Sequence, residues 1–327
     1  MSPQDHRPPN RPRDADPSAK PPPIVFVGGT GRSGTHVIAE LLGRHPHYAD
    51  VKVEARFHAN PRGLPDLLAG EVTEAEFVHK LRSFWWYRVA AGEPLPAIAP
   101  RIRLGRSVRG LFKVMPRKRF DRALERFPQR YARDPEAAAR RLFLDLLWPI
   151  ASRAGKPGLV EMTTANVAQA PTLARLFPEA RFIHCIRDGR DAGSSKVAKR
   201  QRRSHPRDAF EGLGWWLARL EANERAIAAT PPEKILHLSL DQLAAGDREA
   251  TYAELLGFLG LDDEPGIRDH FEADVNAAHA HRGRWRDGLS DERQRELAGR
   301  YEQALEAMRA RGFASAPILL EAYRRLG

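Results

Sequence analysis

The 327-residue chain has little cysteine, little lysine and no long apolar run. Its one cysteine, Cys185, cannot close a disulfide within the chain, and without a Cys-x-x-Cys pair there is no thiolate frame for zinc. No stretch approaches the roughly 18 apolar residues of a membrane span, and the N-terminus lacks the apolar segment of a secretory signal. No unit of about 20–50 residues recurs, which argues against a solenoid. These absences point to a cytoplasmic, reducing-compartment protein. Lysine is scarce, nine against 44 arginines, yet the net charge is +11 and the pI about 10.1. Guanidinium offers a fixed fork of donors that stays charged, so the excess suits multi-oxygen anions. Arg, Ala, Gly and Pro are all frequent, so compositional bias is a second source of the charge, and placement has to decide.

Residues 1–23 are rich in Pro, Arg, Asp and Ser, too polar to fold alone, and read as a disordered lead-in. From residue 24, short apolar runs alternate with longer amphipathic ones. Strands are expected at 24–27, 158–160, 180–186 and 234–238. Helices are expected at 37–43, 73–90, 134–154, 166–176, from Asp188, and at 207–229, 249–260 and 290–311. Strands separated by helices imply an α/β fold with a central parallel sheet covered on both faces. No linker breaks residues 24–327, so the expectation is one domain with a helical insertion at about 60–155.

The strongest local signal is at residues 27–36, Val-Gly-Gly-Thr-Gly-Arg-Ser-Gly-Thr-His, where a strand should end and a helix begin. Glycines permit a sharp turn, and the first free N–H groups of the helix face whatever the loop holds. Gly29 and Gly34 satisfy the Gly-x4-Gly half of a nucleotide-hydrolase loop, but Thr35 and His36 stand where Lys and Ser or Thr belong. A P-loop-type kinase would lack its main partner for the outer phosphates, and no Walker B aspartate is evident.

This strand–loop–helix, followed by Leu41-Leu42 and His45-Pro46, resembles the sulfotransferases that use 3′-phosphoadenosine-5′-phosphosulfate (PAPS), closest to the branch of tyrosylprotein sulfotransferases and bacterial relatives. The resemblance implies a P-loop-like three-layer fold and a 5′-phosphosulfate bound at Arg32, Ser33, Gly34, Thr35 and His36. His36 departs from the second Thr common there, though its backbone N–H remains available. Further on, Ser195 lies eight residues after Arg187, and about seven residues make two helical turns, so both can face one anion. Arg-x7-Ser resembles the family's 3′-phosphate site, with Lys199 a third contact one turn beyond. Asp188 and Asp191 read as helix N-terminal acids and partners for Arg187 or Arg190, and Arg190 as a surface ion pair. At 282–290, Arg-Gly-Arg-Trp-Arg-Asp-Gly-Leu-Ser resembles the family's Gly-x-Trp loop. It offers Arg284 or Arg286 to the 3′-phosphate and Trp285 to pack nearby. An Arg-rich loop before a Ser-capped helix is the plainer reading.

Sulfuryl transfer needs positive groups where charge grows on the departing oxygen and a base for the acceptor hydroxyl. Arg32 and the helix N–H groups meet the first need. By resemblance Glu54 stands where the tyrosylprotein branch keeps its acidic base. His58 is the alternative, because histidine ordinarily titrates near neutrality. The plain reading of Glu54 is an ion pair with Arg56 or Lys52. Two positions depart from the family: Met162, in Glu161-Met162-Thr163-Thr164, stands where relatives carry Lys, and Leu240 where they often carry Tyr. Arg32 alone, Lys113 or Lys196 are the cations on offer in place of that Lys. The aromatic runs 84–87 and 215–216 either line a pocket or fill the core. The Arg-rich stretches 100–109 and 113–119 either attract an acidic acceptor or are simply solvated.

The expectation is therefore a PAPS-dependent sulfotransferase acting on a hydroxyl, with no required metal and no specific nucleic-acid partner. Sugar, lipid, phenol and peptide tyrosine acceptors stay open. The alternatives are a P-loop-type kinase and a non-catalytic nucleotide- or anion-binding protein.

Overall fold

The computed structural model describes residues 22–89, 108–198 and 205–326. The disordered lead-in expected at 1–23 falls almost wholly outside the described residues. β1 (Ile24–Gly29) leads through α1 (Thr35–Arg44) to β2 (Tyr48–Asp50). Then come α2 (Leu64–Leu68), α3 (Glu74–Lys80), the paired strands β3 (Arg88–Val89) and β4 (Val108–Arg109), α4 (Arg117–Tyr131) and α5 (Pro135–Arg153). β5 (Gly158–Glu161), α6 (Ala170–Leu176), β6 (Arg181–Ile186), α7 (Gly189–Ala198), α8 (Ala209–Ala228) and β7 (Ile235–Ser239) complete the sheet region. α9 (Leu240–Ala245), α10 (Arg248–Leu259), α11 (Pro265–Asp274), α12 (Asp291–Ala310) and α13 (Ser315–Leu326) follow.

The five sheet strands run in the order β2-β5-β1-β6-β7, and every pairing is parallel. Side chains alternate across the sheet with period two. Phe26 and Phe182 enter one core with Phe57, Phe143 and Phe177, beneath α5 and α6. Val25, Val27, Ile183 and Cys185 enter another beneath α1, α10 and α11. A third core joins α7, α8, α12 and α13 around Trp216, Trp285 and Tyr301. The expected α/β class holds, with helices on both faces.

Several expected elements change. The helix read over 73–90 ends at Lys80, passes into a π turn (Leu81–Trp85), and gives way to β3. The wider turn, with Trp86 N–H donating to the Leu81 carbonyl, lets Leu81 and Trp85 both bury. α4 was expected only as an Arg-rich stretch. Its apolar stripe of Phe120, Ala123, Leu124 and Phe127 is thin among charges, yet all four are buried. The expected helix at 166–176 is a 3-10 segment (Thr164–Gln169) followed by α6.

Candidate active site

In a parallel sheet the loops at strand C-termini gather at one edge, and a crevice opens where successive connections leave in opposite directions. β1 and β6 are neighbours there, so the loops after Gly29 and after Ile186 meet. The first is shaped by positive φ at Gly31 (88°), Arg32 (63°) and Gly34 (91°). Any side chain at Gly29 would stand 2.5 Å from both the Cys185 carbonyl and Ser33 Oγ, so glycine is required by the close approach of β6. Gly34 is the N-cap of α1, with no side-chain cap and no acid in the first turn, which leaves the helix N-terminus electropositive.

The two predicted anion sites form one cluster. Arg32 Nε donates to Ser195 Oγ at 2.9 Å across 163 residues of sequence. Arg187 Nη1 donates to the Arg32 carbonyl at 3.2 Å, and its Nη2 to the carbonyls of Ala280 (2.8 Å) and His281 (3.0 Å). Arg187 is only 7% exposed, and its Nε, like Ser33 Oγ and Ser194 Oγ, is buried without a hydrogen-bond partner among the described residues. Burial lowers the Arg32 pKa, Arg187 and Arg109 lower it further, and Glu54 opposes them. Arg109, on β4, was read only as the end of the Arg-rich stretch 100–109; the β3–β4 pairing places it within electrostatic reach of the loop. Thr35 is buried and His36 exposed on the first turn of α1. Lys199 lies outside the described residues.

Glu54 is half-buried, and its Oε2 accepts from Arg56 Nε (2.7 Å) and Nη2, so the plain reading of an ion pair is present in the structure. Its turn is held by a buried network. Glu161 accepts from Ala55 N (3.0 Å), Thr163 N (2.9 Å), Thr163 Oγ1 (2.7 Å) and Asn166 Nδ2 (2.7 Å), and pairs with His58 Nε2 at 2.9 Å. Thr163 Oγ1 in turn accepts from Arg56 N at 3.0 Å, supporting a positive φ of 66° at Arg56. Burial alone would raise the Glu161 carboxyl, but His58, Asn166 and the Ala55 N–H outweigh it and bring it down to about 2.

Several sequence expectations need correction. His58 does not face the crevice: it is fully buried, packed on Phe26 and Phe143, with its Nε2 committed to Glu161 and Asn166. Trp285 is 3% exposed in the third core, because Asp191 accepts from the Gly283 and Trp285 N–H groups and folds that loop onto α7. Arg190 is not a surface ion pair. It is buried, bound to Asp188 and stacked on Trp285, Tyr301 and Tyr323 at 4.4, 4.9 and 4.8 Å. Arg284 stays exposed beside His281, whose pKa it lowers. Alternation along β5 sends Glu161 toward His58 and Met162 into the apolar core under α1. Of the cations offered in its place, Lys196 lies 5.3 Å from the Trp215 ring, which lines Gly31, whereas Lys113 is exposed on the insertion. Leu240 packs against Gly34.

A family model for the sulfotransferase family matches residues 23–265. The chain belongs to the sulfotransferase family. No curated protein matches it. Among solved structures it is similar to the sulfotransferase domain from the curacin biosynthetic pathway, at 14% identity and TM-score 0.47, over 80% of this chain and 83% of that one. The sulfotransferase domain of the Synechococcus PCC 7002 olefin synthase matches at 14% identity and TM-score 0.44, over 87% of this chain and 96% of that one. Sulfotransferase STF9 of Mycobacterium avium matches at 15% identity and TM-score 0.42, over 86% and 76%. Family membership supports sulfuryl transfer in general. It also removes the main attraction of the P-loop-type kinase, whose lysine this sulfotransferase lacks.

Proposed function

We propose that this sulfotransferase moves a sulfuryl group from PAPS to an acceptor hydroxyl. The observation that carries the reading is the Arg32–Ser195 hydrogen bond, which joins a Gly-rich helix N-terminus to a second cationic site at Arg187. A nucleotide with anionic groups at two ends suits such a pair better than a single phosphate does. Ser33 Oγ, Ser194 Oγ and Arg187 Nε, buried without a partner among the described residues, are donors for which such a ligand would supply acceptors. The residues that would hold the 5′-phosphosulfate are Arg32, Ser33, Gly34, Thr35 and His36. Those for the 3′-phosphate are Arg187, Ser195, Lys199 and Arg284. Trp285 drops out of this set because it is buried behind Arg190.

The acceptor oxygen attacks sulfur in line, its proton passes to the Glu54 carboxylate, and the sulfur–oxygen bond to the phosphate breaks. The electron pair stays on that phosphate oxygen, where Arg32 and the α1 N–H groups stabilise the charge. Glu54 then takes up a role its ion pair with Arg56 prepares, since the pair fixes the orientation of the carboxylate. Calorimetric titration with adenosine 3′,5′-bisphosphate beside AMP and ATP tests the reading. Selective binding of the bisphosphate is expected, and tight AMP or ATP binding with indifference to the bisphosphate would refute it. Glu54→Gln should bind the bisphosphate normally and lose turnover; normal turnover would remove Glu54 as base.

A further inference from the structure

Thr163 is the N-cap of the 3-10 segment Thr164–Gln169. A threonine there ordinarily uses its hydroxyl to accept from an N–H two or three residues further on, yet this segment has no side-chain cap. The Thr163 carbonyl accepts from Asn166 N at 2.9 Å, so the backbone of the segment starts without help from the hydroxyl. The hydroxyl serves another part of the chain. It gives its single proton to Glu161 Oε1 at 2.7 Å, which leaves an oxygen lone pair for Arg56 N at 3.0 Å. Thr163 is fully buried, so bulk water does not compete for either bond.

What the hydroxyl holds is a strained residue. Arg56 has a φ of 66°, in the left-handed region that a residue with a side chain keeps only where its surroundings impose it. Ala55 N donates to Glu161 Oε1 at 3.0 Å and Arg56 N to Thr163, so both amides that follow Glu54 are docked on side chains at the end of β5 and just beyond it. In this conformation Arg56 places Nε (2.7 Å) and Nη2 on Glu54 Oε2. Both donors go to that one oxygen, and none among the described residues binds Oε1. The carboxylate is therefore divided: Oε2 is held, and Oε1 is left to take a proton. Glu54 also lies within electrostatic reach of Arg32.

We propose that Thr163 is a positioning residue for sulfuryl transfer: its hydroxyl keeps Arg56 left-handed, and Arg56 in turn aims Glu54 Oε1 at the acceptor hydroxyl. This rests on the sulfuryl-transfer reading with Glu54 as base. No bond at Thr163 forms or breaks in the reaction, and the acceptor proton still ends on Glu54. Without the hydroxyl, Arg56 N loses its acceptor and the residue relaxes toward negative φ, which carries the guanidinium off Oε2. Among the described residues Thr163 makes no hydrogen bond to residues 28–36 or to Arg187, so nucleotide binding is untouched.

Thr163→Val replaces the hydroxyl with a methyl of similar size, Thr163→Ala removes it outright, and Thr163→Ser keeps it. Turnover of PAPS by the full chain is followed as release of adenosine 3′,5′-bisphosphate, with phenol added as an acceptor that keeps its proton near neutral pH. The Val and Ala variants should lose roughly 10–100-fold in kcat, the scale of a small misplacement of a reacting group. Their KM for PAPS and their affinity for the bisphosphate should stay at wild-type values. Thr163→Ser should restore kcat. Heteronuclear NMR reads the ion pair directly: the Arg56 Nε–H signal should persist in wild type and Thr163→Ser, and be lost to fast exchange with water in the Val and Ala variants. A merely stabilising role for Thr163 would lower the melting temperature and leave both kcat and this signal where they were. Wild-type kcat or an intact Arg56 signal in the Val and Ala variants overturns the proposal, as does a Ser variant no better than they are. If wild type releases no bisphosphate, or Glu54→Gln keeps full turnover, while the Arg56 signal responds as expected, what fails is the sulfuryl-transfer reading with Glu54 as base.

Discussion

Arg32 sits where three separate features of the chain converge: a left-handed backbone turn, the hydrogen bond to Ser195 and the carbonyl held by Arg187. On the proposed reading, removing its guanidinium deletes a charged donor from beside the leaving oxygen. Arg32→Ala should therefore lower kcat by roughly 10²–10³, the usual effect of losing one such donor, as measured by steady-state transfer kinetics. On the same proposed reading Arg187 serves the other end of the nucleotide. Arg187→Ala should erase the preference for adenosine 3′,5′-bisphosphate over AMP in calorimetry, and a preserved preference would move the 3′-phosphate site elsewhere. Both arginines were legible as candidates because each leaves a strand end beside glycines or a helix start. His58 and Trp285 were not separable from them by residue type, since burial is invisible in a local pattern.

The turn at 54–58 is positioned by β5 rather than by its own sequence. Glu161 is the acceptor at its centre, and Glu161→Gln would leave several donors short of an ionic partner. Breaking a buried pair of this kind costs about 3–5 kcal/mol, which chemical denaturation would register. The Glu161 pKa is lowered to about 2, so its contribution is fully present above the unfolded value near 4.5 and is lost as pH falls toward 2. The stability gap between wild type and Glu161→Gln should shrink across that window; a constant gap would contradict the ionic role. On the neighbouring strands, His184 and His237 face each other in register with Nδ1 atoms 3.2 Å apart. Burial, then His237, depresses the His184 pKa well below its ordinary value. The unfolded chain then binds more protons below pH 6.5, so stability should fall as pH drops through that value. His184→Asn should flatten this part of the pH–stability curve.

The molecule as a whole closes its sheet with aromatic packing on one face and aliphatic packing on the other. Phe26 is at the centre of the first, within 5.6 Å of Phe143, Phe177, Phe182 and His58. Phe26→Ala should cost about 3–5 kcal/mol in denaturant titration. On the other face Cys185 is fully buried, and burial pushes its thiol well above the ordinary range. The native protein should therefore resist thiol reagents that modify the unfolded chain at once, making this single cysteine a reporter of global opening. Rapid labelling under native conditions would show that β6 opens independently of the rest.

Much of this protein was written in its local sequence. Short apolar runs marked four of the five strands of the parallel sheet, glycines marked the tight turn after β1, and the spacing of Arg187, at a strand end, and Ser195, on the following helix, marked both as candidates. Those features depend on neighbours within a few residues, so the chain alone carries them. The three-residue β2 and the charged helix α4 were missed, the first for lack of length and the second because its cations outnumber its apolar stripe. Strand order is a long-range property. Only the adjacency of β1 and β6 brings Arg32 to Ser195, only the facing of β5 buries His58 against Glu161, and only the pairing of β3 with β4 carries Arg109 toward the loop. The same holds for the +11 charge. Its size follows from composition, but which cations meet acids and which stand unmatched is decided by what the tertiary structure places beside them.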